Sequence, residues 1–170
     1  MLFRQIIVIG SLLLAAVVVQ TTILSRLGLP GATPDLVVVT VAAVALALGP
    51  APGAAAGFLG GALLDVATPS DSILGLASIV LIAVGLAVGV AANPEDSSVW
   101  MLSLIAGAAC GAATLGTALL SGILGSDRII WAVVPGVTLT TVLYGLILGR
   151  VMIPLVEVLS RRLVPEAFLD

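Results

Sequence analysis

The sequence contains no lysine and no histidine. Schiff-base lysines, imidazole general bases and most zinc sites are therefore excluded. Charged residues make up only 9% of the chain, against about a quarter in a soluble domain, so a soluble globular reading fails at once. The six arginines are scattered and form no basic stripe, which argues against nucleic-acid binding. Cys110, the single cysteine, cannot form an intramolecular disulfide and leaves the redox compartment unread. Aromatics are 4% of residues, few for a selective ligand pocket.

What is present is apolar and small. Of 170 residues, 61% are hydrophobic, and 19 are glycine. The length suits one domain. The hydrophobic runs predict an all-α integral membrane protein with six transmembrane helices, at approximately 5–24, 35–49, 54–66, 73–92, 100–124 and 129–153. A basic start before an apolar run is also the pattern of a secretory signal. Because apolar segments continue to residue 153, the first helix is read as uncleaved. The second and third helices are short, the second reaching roughly 20 Å at 1.5 Å per residue against a hydrocarbon core of ~30 Å. Gly49 to Gly53 reads as the tight turn between them. Pro135-Gly136 predicts a kink in the sixth helix. Residues 154–170 read as an amphipathic cytoplasmic tail on the membrane surface, with Arg162 snorkelling.

An even number of spans places both termini on one side. Arg4, Arg150, Arg161 and Arg162 fall on that side and Arg26 and Arg128 on the other, which makes the termini cytoplasmic by the positive-inside rule. Asp35, Asp65, Asp71 and Asp127 then gather at the outer face, and Glu95 and Asp96 lie inside.

The stretch from Gly53 to Asp65 organises this reading. Gly53, Gly57 and Gly61 recur every fourth residue and the series ends on Asp65. On a helix such a series is a smooth ridge that admits another backbone closely, and it predicts a packing helix at the centre of the protein. Gly85-x-x-x-Gly89, Gly107-x-x-x-Gly111 and Gly145-x-x-x-Gly149 predict further close helix packing. Asp65 sits at the C-terminal end of its helix, where the dipole disfavours a negative charge. Two readings stay open: a boundary residue that reaches water or caps the next helix, or a polar anchor for Arg26, Arg128 or a partner subunit. Asp35, after Pro34, reads as a plain helix start. Gln20, Thr21 and Thr22 either bond across helices or face the membrane boundary. No nucleophile has a base, no carboxylates pair at mid-membrane, and no glycine loop joins a strand to a helix, so no catalytic, metal or cofactor site is expected.

The arrangement resembles the MreD family of rod shape-determining membrane proteins. The likeness rests on Pro34-Asp35-Leu36 opening the second span, Gly57-Phe58-x-x-Gly61-x-x-x-Asp65 in the third, and Leu74-Gly75-Leu76 opening the fourth. It covers most of the chain. It implies a bundle similar to the substrate-binding S components of energy-coupling-factor transporters, in the bacterial cytoplasmic membrane. It also implies a non-enzymatic scaffold role in the cell-wall elongation machinery, with an MreC-like bitopic protein, a RodA-type glycosyltransferase and a penicillin-binding transpeptidase as partners. Pro34, Asp35, Gly57, Phe58, Gly61 and Asp65 are the family-like positions, as partner-binding residues or structural anchors. The acidic Glu95-Asp96 turn departs from the basic cytoplasmic loops that the resemblance leads one to expect. The alternative is a solute-binding S component, although no Ala-x-x-x-Ala lies in the first helix and Ala43-x-x-x-Ala47 lies in the second.

Overall fold

A computed structural model describes residues 2–26, 28, 31, 33–67, 74–91, 98–125 and 130–163. Among them are six α-helices, one short 3-10 turn and no strand. The helices are α1 (Leu2–Thr22), α2 (Leu36–Leu48), α3 (Pro50–Ala67), α4 (Leu76–Ala91), α5 (Val99–Ile123) and α6 (Val134–Leu163). The expected turns around Asp71, around Glu95 and Asp96, and around Asp127 and Arg128 lie outside the described residues, as do residues 164–170 and the side chains of Arg4, Arg161 and Arg162.

Three segments are long and apolar enough to cross a membrane: Ile6–Arg26, Trp100–Ile123 and Val134–Leu159. α2 and α4 are shorter apolar helices. Large apolar side chains also cover the outside, among them Ile7, Leu14, Leu86, Val90 and Ile147. An apolar exterior of this kind suits a hydrocarbon solvent and not water.

The centre of the bundle is α2, not the glycine helix α3. Every residue from Leu36 to Leu46 is buried, and α2 touches each of the other five helices. Its run of Val, Ala and Leu has no polar face, and a helix apolar all round is stable only when enclosed. Its lone polar side chain, Thr40, is satisfied within the helix, donating to Leu36 O at 2.8 Å. α3 buries only one stripe: Gly53, Ala56, Gly57, Gly60, Gly61 and Asp65. The ridge reading holds, but it describes one wall and not the middle. A spacing of four shows that a face can be approached; it does not show how many neighbours approach.

Three boundaries differ from expectation for local reasons. The α2–α3 turn shrinks to Gly49, whose φ of +92° suits glycine and whose N–H donates to Ala45 O at 3.0 Å. Pro50 and Pro52 then fall in the first turn of α3, where their missing N–H groups cost nothing. Pro135 likewise sits in the first turn of α6, so no kink forms there. The tail does not separate from the sixth helix. α6 runs through Pro154 to Leu163, and Ile153 and Val156 on either side of that proline are buried in the core. Proline removes one helical hydrogen bond, and packing on both sides holds the helix together across the gap.

Candidate functional site

α3 and α4 run antiparallel along a seam in which backbone meets backbone. A methyl group added at Gly57 would overlap the Leu81 carbonyl, one at Gly61 the Ser78 backbone, and one at Gly89 the Pro50 backbone. Gly53 and Gly85 face each other, and a methyl on Gly53 would sit 2.7 Å from Gly85 O. Steps of three and four on one helix thus match steps of four and three on the other, from Pro50·Gly89 through Gly53·Gly85 and Gly57·Leu81 to Gly61·Ser78. Gly107 and Gly111 instead receive the side chains of Leu146 and Val142, and Gly145 and Gly149 receive Cys110 and Ala106, so these pairs join α5 to α6.

Asp65 closes the seam. It is 4% exposed, and its Oδ2 accepts from Gly75 N at 2.9 Å and from Ser78 Oγ at 3.4 Å. Of the two open readings, the described contacts support the cap on the next helix, and Arg128 lies outside the described residues. Asp65 reaches neither water nor Arg26. Gly75 has φ +91°, a conformation natural to glycine, which aims its N–H back at the carboxylate. Oδ1 is buried with no hydrogen-bond partner among the described residues.

Pro34 and Asp35 form a second joint at the same end of the bundle. The four amides that open α2 are all satisfied. Leu36 N donates to Pro34 O at 3.2 Å and Val39 N to Asp35 O at 3.3 Å. Val38 N donates to the Asp35 carboxylate at 3.2 Å, and Val37 N to Gln20 Oε1 at 3.0 Å. Asp35 is therefore the helix start expected of it. Gln20 takes the cross-helix option and ties α1 to α2. Thr21 and Thr22 bond back to Val17 O and Val18 O within α1.

Among the six family-like positions, Pro34, Gly57, Gly61 and Asp65 are buried and Asp35 is half-buried, each in one of these joints. Phe58 alone is turned outward, 55% exposed and about 100° around α3 from Gly57. The six do not converge on one point.

An open cavity of about 530 Å³ lies beside the Asp35 joint, lined by parts of α2 to α6. Its polar lining is the Asp35 side chain with Thr114, Thr117 and Ser121 of α5. The rest is apolar, including Leu64, Val80 and Val134. Sequence reasoning missed the α5 hydroxyls, although their spacing of three and four places them on one helical face in an otherwise apolar segment. A second furrow, of about 550 Å³, runs between α4 and α5 and is almost wholly apolar.

No family model, curated protein or solved structure matches this chain. Function must therefore be argued from the site.

At the opposite end of the bundle, the Arg150 guanidinium stacks over the Trp100 ring, 4.2 Å from its centre, and clamps the start of α5 to α6. Among the described residues, no three His, Cys, Asp or Glu side chains gather as metal ligands.

Proposed function

We propose that this chain is a six-span, non-enzymatic scaffold of the bacterial cytoplasmic membrane, with cytoplasmic termini, serving the wall-elongation machinery as the resemblance to MreD implies. The observation that carries this reading is the division of labour among the six family-like residues. Five sit in joints that hold helices in register, and Phe58 faces outward on the helix those joints immobilise. That is how a scaffold presents an apolar anchor to a partner's membrane helix. Catalysis instead requires reactive groups converging on one point. The partner in this reading is an MreC-like bitopic protein, with the RodA-type glycosyltransferase and the transpeptidase reached directly or through it.

The test is co-purification with an MreC-like partner. Phe58→Ala, which leaves the seam untouched, is expected to weaken recovery while the helical content of the purified protein stays unchanged. Full recovery, together with normal cell shape on complementation, rejects the scaffold reading at this surface.

A second reading, a solute-binding S component, is favoured by the cavity beside Asp35, whose volume falls in the 300–1,000 Å³ range of small-molecule sites. A thermal-shift screen with vitamins tests it. Strong stabilisation by one of them would displace the scaffold reading.

A further inference from the structure

The cavity between α2 and α6 has a chemical character that limits what it can hold. Its one charged lining group among the described residues is the Asp35 carboxylate, and its partners, the Val38 and Val37 amides and the Gln20 side chain, are all neutral. The hydroxyl protons of Thr114 and Thr117 are already committed, to Cys110 O at 3.0 Å and Ala113 O at 2.8 Å. What these two hydroxyls offer the cavity is lone pairs. A carboxylate, two acceptor oxygens and the Ser121 hydroxyl therefore share an otherwise apolar pocket. The chain has no lysine or histidine to answer them, and no arginine is among the described lining residues. A negative charge in apolar surroundings is costly without a counter-charge, and a charge-assisted hydrogen bond from a cation is the strongest relief available.

We propose that this cavity binds the ammonium group of a small amphiphilic amine, with Asp35 as counter-ion, Thr114 and Thr117 as hydrogen-bond acceptors, and the apolar wall against the amine's carbon chain. The proposal rests on the cavity and holds whether or not the chain acts as a scaffold. The same ammonium chemistry has two sources, a free amine or the headgroup of phosphatidylethanolamine.

The test uses the full chain in phosphatidylcholine nanodiscs and follows thermal unfolding with hexylamine, hexanol and hexanoate. Hexylamine is expected to raise the unfolding temperature, and the equally long alcohol and acid are not. Asp35→Asn keeps a side-chain cap for α2 but removes the charge, and it is expected to weaken the apparent affinity by about tenfold or more. Thr117→Val is a second variant that leaves the cap alone and is expected to weaken the same affinity less. In nanodiscs containing phosphatidylethanolamine, loss of the hexylamine response, with that lipid retained on the protein in native mass spectra, assigns the headgroup as the source. A response that persists there assigns a free amine. Equal responses to all three probes, or an amine response unchanged in both variants, overturn the proposal. So does a response seen only in Arg128→Gln, because the chain's own arginine would then be the occupant. None of these outcomes depends on partner recovery, so the scaffold reading and this one fail separately.

Discussion

The α3/α4 and α5/α6 interfaces are both built on glycines four apart, yet they are different kinds of joint. Along α3/α4 the glycines of one helix face the backbone of the other, so no side chain is available to move aside. Along α5/α6 the nearest atoms above Gly107 and Gly111 are the Leu146 and Val142 side chains, which can shift, with the Val142 carbonyl 3.1 Å from a methyl at Gly107. Helix association in a bilayer gains little from hydrophobic transfer and depends on packing and hydrogen bonds. The first joint maximises backbone proximity and closes it with a buried carboxylate. The second interlocks side chains and tolerates adjustment. A short glycine pattern in a sequence therefore does not report how rigid the resulting contact is; the identity of the opposing atoms does.

The comparison breaks first at Gly57. Gly57→Ala drives a methyl into the Leu81 carbonyl and is expected to cost about 3 kcal/mol or more, read as a large fall in unfolding temperature in detergent. A fall no greater than that of an α5 glycine variant would mean that the two joints are alike. Asp65→Ala comes next. It leaves the part-buried Gly75 N–H without its acceptor, at roughly 1–3 kcal/mol. Asp65→Asn retains an acceptor for Gly75 and is expected to recover most of that loss, measured in the same assay.

Gly111→Ala meets only the Val142 methyl at 2.8 Å and a Thr138 methyl at 3.8 Å. A rotamer change relieves the closer contact, and the gain of alanine over glycine in a helix, about 1 kcal/mol, offsets much of the rest. The net effect on unfolding should be under about 1 kcal/mol. Gly10→Ala is the smallest case. Nothing lies within 4 Å of the added methyl, and the helix preference should make it neutral or stabilising by up to about 1 kcal/mol. If Gly10→Ala were as damaging as Gly57→Ala, close approach would not be the cause at either site.

Much of this architecture could be read from residue order. Helix positions followed from apolar runs, and the cap at Asp35 from an acid beside a helix start, whereas the role of Asp65 stayed open between a cap and an anchor. The expectation that Gly53, Gly57 and Gly61 form an approachable face was also correct. It failed on rank, since α3 is a wall and α2 the core. The amphipathic pattern after residue 153 suggests a separate surface helix, and only the burial of Ile153 and Val156 shows why α6 continues through Pro154. The α5 hydroxyls were visible as a stripe, but a stripe becomes a cavity lining only when Asp35, 79 or more residues earlier in the chain, is brought opposite to it.

The sequence by itself determined the solvent and the local pieces. A chain 61% hydrophobic and 9% charged is compatible with a membrane, and its periodicity and punctuation make helices and their ends. These are properties of neighbouring residues, fixed by backbone hydrogen bonding and side-chain solvation. Only the tertiary structure decided which helix is enclosed, which glycines meet backbone and which meet side chains, and that Asp65 turns to Gly75 and not to Arg26. Those choices depend on the shape of surfaces distant in the chain, and close packing selects among them.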